Sequence, residues 1–350
     1  MIATLVACLT VPATTYWQGV DASFIPEYRD KNAHFYSQTV EVEPLTALAD
    51  AGANLLRLRL WVNPADGYCD LKHTLAMAKE GKARGMDLLL DFHYSDTWAD
   101  PQHQVLPAAW ANFSTAQLQK AVIEHSRNAV SALVAQGTVP RIVQIGNEVR
   151  DGMMWPAGRI SQGNWVNFVK FLKAGITGTK AALPTNARCS IMIHHDRGAD
   201  KAICERFFTD LKRDGVKYDM IGLSYYNWWH GTLAQAEENM NNLGTKFGKP
   251  VMIVETAYPF TLGWSDNTGN FVGTESQLLP GYAATPVGQS AFLTRLHQLV
   301  KAIPNKLGAG VAYWAPEYVA TPGIPTPYEN LCLFDFEHRV LPGASALGHP

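Results

Sequence analysis

The sequence is short of charge and of cysteine. Only 17% of its 350 residues are Asp, Glu, Lys or Arg, and they leave a net charge of −2. No basic cluster stands out, so a nucleic-acid partner is not expected, since phosphate backbones need Lys and Arg concentrated on one face. Long apolar runs are missing too. The uncharged stretch IATLVACLTVPA, residues 2–13, is shorter than the roughly 20 residues a membrane-spanning helix takes. It reads instead as a signal segment for export whose positive n-region is absent, as a shortened start would leave it. Within it, Leu5-Val6-Ala7-Cys8 is a secondary reading, a lipoprotein cleavage box that would anchor the chain at Cys8. Without Cys8 four cysteines remain, Cys69, Cys189, Cys204 and Cys332. Their even number permits disulfides, scattered thiols fit equally well, and no spacing suggests a metal site. No glycine-rich dinucleotide fingerprint or phosphate loop follows any strand-like segment. Ser224, in GLSYY, lacks the flanking glycines of a nucleophile elbow. Aromatic residues, by contrast, are plentiful, with ten Trp and thirteen Tyr. They suit a large aromatic core or flat platforms for a ring-shaped ligand.

One pattern recurs along the chain: a short apolar β-rich run, a loop, then a longer amphipathic segment. The runs are YWQGVDAS from Tyr16, LLRLRLW from Leu55, DLLLDFHY from Asp87 and RIVQIGNE from Arg141. RCSIMIHHD from Arg188, DMIGLSYYN from Asp219, PVMIVETAY from Pro250 and GVAYWAP from Gly310 complete the set. Helical patterns lie between them at 75–85, 117–137, 165–183, 204–215 and 292–303, several ending in Gly. Strand alternating with helix, eight times in a chain of this length, predicts a (β/α)8 TIM barrel. With no linker in view, residues 14–350 form a single barrel domain after the segment 1–13.

In such a barrel the site lies at the C-terminal ends of the strands. Those ends carry Asp21, Arg57, Arg59, Asp91, His93, Asn147, Glu148, His194, His195, Asp196, Tyr225, Tyr226, Glu255 and Trp314. Most acids elsewhere read as salt-bridged surface groups. Glu148 and Glu255 end the fourth and seventh runs, so their tips face each other across the mouth. Two facing carboxylates suit cleavage of a glycosidic bond, one protonated as general acid and the other ionised as nucleophile. Arg57 or Arg59 could hold Glu255 ionised. Asn147 could bond a sugar hydroxyl beside the reacting carbon, His93 could orient a carboxylate or bind sugar, and Tyr226 is a supporting group. His194 and His195 are adjacent on a strand and point to opposite faces, which argues against a shared metal ion. A metal-dependent hydrolase and a non-catalytic carbohydrate-binding barrel are the competing readings.

The stretches GVDAS, LRLRLWVNP, DFHYSDTWADP, VQIGNEVRDGMMWPAG, IMIHHD, GLSYYNWWHGTL and IVETAYP carry a resemblance. Together they resemble the endo-β-1,4-galactanases of glycoside hydrolase family 53, in clan A of the retaining barrel glycosidases. The resemblance runs from about Tyr16 to Leu347. It implies an exported endo-acting hydrolase, working as a monomer, that cuts β-1,4-galactosidic bonds in the arabinogalactan type I side chains of pectin by double displacement. On matching positions it implies Glu148 as acid/base, Glu255 as nucleophile and Asn147 at the sugar's second carbon. It also implies Arg57, Arg59 and His93 as supporting groups, and Trp98, Asp196 and Trp314 along the sugar groove. Spacing alone leaves mannan, xylan and cellulose open as substrates. No cofactor is implied, although some bacterial relatives hold calcium in the loop 262–282, where this chain has Asp266, Asn267 and Asn270. Two departures from the family pattern stand out. The family's Trp-Glu-Pro is here Trp314-Ala315-Pro316, and His195 replaces a Leu before Asp196.

Overall fold

The computed structural model describes residues 15–348, so the signal segment and Cys8 lie outside the described residues. Eight parallel strands close into a barrel in chain order. They are β1 (Trp17–Asp21), β2 (Leu55–Leu60), β3 (Asp87–Phe92) and β4 (Ile142–Ile145), then β5 (Ser190–His195), β6 (Met220–Ser224), β7 (Val251–Glu255) and β8 (Gly308–Trp314). Around them run the helices α1 (Pro44–Asp50), α2 (Leu71–Ala83), α3 (Thr115–Ala135) and α4 (Trp165–Ala182), followed by α5 (Lys201–Arg213), α6 (Leu233–Phe247) and α7 (Pro286–Lys301). The alternation read from the sequence is thus a closed (β/α)8 barrel. Several helices begin earlier than apolar periodicity alone suggests. Asp70, Ser114, Asp200 and Thr285 each accept a backbone N–H of the first turn, so the polar first turns belong to the helices.

Two apolar layers flank the strands. The outer one is the interface with the helices; the inner one fills the lower barrel with Trp17, Leu55, Leu89, Ile142, Met192, Met220 and Met252. Two residues further along the same strands the inward positions turn polar: Arg57 after Leu55, Asp91 after Leu89, Gln144 after Ile142, His194 after Met192. Strand side chains alternate with period two, so one apolar floor and one polar layer are stacked in the same cylinder. The floor keeps water from reaching the polar layer from below, and that layer opens only at the mouth. Among the described residues no helix is long and apolar enough to cross a membrane, and all four cysteines are free thiols.

Candidate active site

Glu148 reaches the mouth through a distorted strand end. Gly146 has φ +79°, and Glu148 itself has φ +48°, in the left-handed region that side chains with a Cβ rarely adopt. A non-glycine residue held there costs on the order of 1 kcal/mol, a strain that surrounding structure must impose. Here it turns Asn147 and Glu148 in succession into the mouth, which plain strand alternation forbids. Glu255 arrives by a different device. Between β6 and β7, Leu223 pairs with Ile253 but Ser224 pairs with Glu255, so Val254 is an extra residue in the ladder. Val254 joins Met252 in the barrel interior. Regular alternation would then send Glu255 out to the helices; the bulge brings it inside instead.

Beside Glu255 stands Arg57, fully buried. Its Nη1 donates to Asp21 at 2.7 Å, and its Nη2 donates to Asp91 and to the Asn147 side-chain oxygen, both at 2.8 Å. The same Nη2 lies 2.9 Å from Glu255 Oε1, and Tyr226 Oη donates to Glu255 Oε2 over 3.4 Å. Burial pushes the Glu255 carboxyl up to about 7, against the pull of Arg57. Glu148 has no ion pair among the described residues; its Oε1 takes a 2.6 Å hydrogen bond from Ser224. Burial first, then the charge of Glu255, raises the Glu148 carboxyl well above the ordinary range. Only Glu255 touches a guanidinium, so Glu255 releases its proton first and Glu148 keeps its own longer. The mouth therefore holds one carboxylate and one carboxylic acid over a common range of pH.

The remaining predicted residues sort by contact. His93 Nδ1 accepts N–H bonds from Ala99 at 3.0 Å and Trp61 at 3.2 Å. Its proton is consequently on Nε2, facing Asp91 at 3.1 Å, so His93 orients a carboxylate. Arg59 donates to Asp21 at 3.2 Å and lies against the rings of Phe24 at 4.1 Å and Trp98 at 4.5 Å. Trp98 and Trp314 are half-buried neighbours with ring centroids 5.8 Å apart, forming one aromatic wall. Asp196 is gripped by Arg150 at 3.0 and 3.1 Å. Two rim residues turn away. His195 packs on Phe207 at 4.9 Å in the helix layer, and Tyr225 donates to the Gly231 carbonyl. Sequence reading gave Gln144, Arg150 and Ser224 no part in the site; for Gln144 the signal was there, two places along the strand from inward Ile142.

The loop residues named for calcium are used differently. Asp266 accepts backbone N–H bonds on both oxygens, from Thr268 and from Thr326 at 2.8 Å, and Asn270 donates to Gly263. Each Asp266 oxygen keeps a second lone pair, and the Asn270 side-chain oxygen is buried with no partner among the described residues. Among the described residues no three His, Cys, Asp or Glu side chains gather to hold a metal ion. The acid that follows Pro316 is no substitute for the missing groove glutamate. Glu317 is wholly buried, accepts the Phe24 N–H at 3.0 Å, and burial raises its carboxyl to about 8. Any stability it lends as a neutral acid is complete below its unfolded value near 4.5 and is lost as pH rises through about 8. Glu317→Gln is expected to be more stable than the parent at pH 8, by on the order of a few kcal/mol, and equal at pH 4. Urea midpoints at the two pH values check this.

The family model for glycosyl hydrolase family 53 matches residues 17–347. An arabinogalactan endo-β-1,4-galactanase of Cellvibrio japonicus is 36% identical over 333 residues, covering 92% of this chain and 87% of its own. The family 53 catalytic domain from Ignisphaera aggregans superposes with a TM-score of 0.89 at 34% identity, over 99% of this chain and 98% of its own. One of two fungal β-1,4-galactanases does so with a TM-score of 0.85 at 30% identity, over 97% and 100%. A barrel with facing, electrostatically unequal carboxyls, matched by one family model over nearly its whole length, leaves one assignment: the chain belongs to glycosyl hydrolase family 53.

Proposed function

We propose that the protein is an endo-acting, retaining β-1,4-galactanase. The observation that carries the mechanism is the unequal setting of the two carboxyls, Glu255 against Arg57 and Glu148 against a hydroxyl. Glu255 attacks the anomeric carbon while Glu148 protonates the departing oxygen. Glu148 then takes a proton from water, whose oxygen displaces Glu255 from the sugar. Asn147 is pinned by Arg57 and by its own N–H bond to the Ala99 carbonyl at 2.7 Å, so it offers a fixed partner beside the reacting carbon. For the substrate, the support is the galactanase names of the relatives at 30–36% identity. A polysaccharide substrate is met outside the cell, in keeping with export.

Incubation with galactan, mannan, xylan and cellulose, with products separated by size, tests the substrate. Galactan alone should shorten, through intermediate oligosaccharides. Release from mannan or xylan and not galactan would reassign the substrate. Proton NMR of fresh product should show the β-anomer first; an initial α-anomer would remove the covalent step. Trp98→Ala or Trp314→Ala should weaken binding of galactan fragments by about 1–2 kcal/mol, the scale of a lost aromatic contact, with less effect on kcat. Calorimetric titration reads that directly, and unchanged affinity in both variants would dismiss the aromatic wall as a sugar platform.

A further inference from the structure

Behind Glu148 lies a chain of two groups that the double displacement does not use directly. Ser224 Oγ lies 2.6 Å from Glu148 Oε1 and 2.8 Å from His194 Nε2. His194 Nδ1 faces partners of both kinds. The Asn147 side-chain oxygen, an acceptor, is 2.8 Å away; the Gln144 amide nitrogen and the Glu148 N–H, both donors, are at 3.1 and 3.3 Å. The Asn147 amide cannot be flipped, because its oxygen accepts from Arg57 and its nitrogen donates to the Ala99 carbonyl. Burial and the Arg57 charge keep His194 neutral, so it carries one ring proton. Either tautomer finds partners on both sides of the ring.

We propose that Ser224 and His194 are positioning residues forming a two-state relay, whose hydrogen bonds reverse direction as Glu148 alternates between acid and base. This rests on the reading of Glu148 as the acid/base. With Glu148 protonated, its O–H donates to Ser224, the Ser224 O–H donates to Nε2, and Nδ1–H donates to Asn147. With Glu148 ionised, Ser224 donates to the carboxylate, Nε2–H donates to Ser224, and Nδ1 accepts from Gln144 and the Glu148 N–H. The proton Glu148 gives to the glycosidic oxygen is replaced by one from water in the second step. His194 carries one proton in both states; the change of nitrogen takes one proton up from water at Nε2 and returns another to water at Nδ1, so the balance closes. Each form of Glu148 meets a matching partner, while at Nδ1 the Gln144 and Glu148 donors lose their acceptor in one form and the Asn147 oxygen loses its donor in the other.

The charged and titratable groups facing Glu148 are Glu255 on β7, Asp196 after β5, Asp100 after β3 and Tyr226 after β6. Those facing His194 are Arg57 on β2, His93 just after β3, and His195 and His230.

Two measurements test the relay. With histidine ring nitrogens labelled, NMR of the free protein through a pH titration should show His194 protonated at Nδ1 at low pH. It should change to Nε2 as Glu148 ionises, without passing through a stable cation. One tautomer throughout would overturn the proposal. Ser224→Ala removes the donor that the ionised carboxylate needs. The alkaline limb of kcat/KM should move to higher pH, and kcat should fall roughly 10- to 100-fold, the lower part of the general acid–base range. The base-dependent second step should become limiting, seen as a burst of aglycone from an aryl galactoside. Ser224→Thr, which keeps the hydroxyl, should restore both. An unshifted limb and no burst in the alanine variant would overturn the relay, while azide rescue of Glu148→Ala would still report separately on Glu148.

Discussion

Glu255→Ala is expected to lose turnover by on the order of 10⁴-fold or more, the largest effect in the molecule, with the fold intact. Among the described residues its polar partners are Arg57 and Tyr226. Without it no covalent bond to the sugar can form, and Arg57 is left facing an empty space. Glu148→Ala should fail differently. A substrate with a good leaving group needs little protonation, so the first step survives while the second waits for a base. Added azide, a small anion entering the space of the lost carboxyl, should capture the sugar and restore turnover of an activated aryl galactoside, giving the β-galactosyl azide. Unchanged activity in either variant, or azide rescue giving an α-product from Glu148→Ala, would overturn the assignment of roles.

Arg57→Lys should be the second most damaging change, with kcat down by roughly 10²- to 10³-fold. The guanidinium bonds Asp21, Asp91, Asn147 and Glu255 at once, and an ammonium on a flexible stem cannot span all four. Glu255 is the contact that decides the rate. With its cation displaced the carboxyl rises further, so a larger fraction is protonated at a given pH. The acid limb of kcat/KM should therefore move toward higher pH, and raising the pH should recover part of the loss. Arg57→Met goes further, leaving buried carboxylates without a counter-charge, at about 3–5 kcal/mol in stability. A Lys variant with an unshifted acid limb would mean that Arg57 acts on Glu255 through position alone.

The barrel was legible because its signal is repeated and local. Each strand has its own apolar run and each helix its own periodicity, and an error at one leaves the others standing. Glu148 and Glu255 were legible as strand-end carboxylates, although the devices that aim them were not. A left-handed backbone at Glu148 and an extra residue at Val254 depend on neighbouring strands, which a linear reading does not see. The same limit explains His195 and Tyr225, which sit beside site residues in sequence and face the helices in space. Ser224 was set aside as a nucleophile, and its bond to Glu148 joins residues 76 apart. Asp266 lay in a run of Asp, Asn and Gly that suits calcium on composition; that its oxygens accept from Thr268 and Thr326 is a matter of how two loops meet.

The extra residue in β7 sets which way Glu255 faces. Pairing Val254 with Ser224 in an even ladder would swing the carboxyl of Glu255 through half a turn, into the apolar layer between barrel and helices. Every atom needed for the first bond would still be encoded, one peptide unit out of step. Anyone transplanting this strand into another cylinder must carry the irregularity with it, because the reactive oxygen owes its direction to a spacing rather than to its own identity.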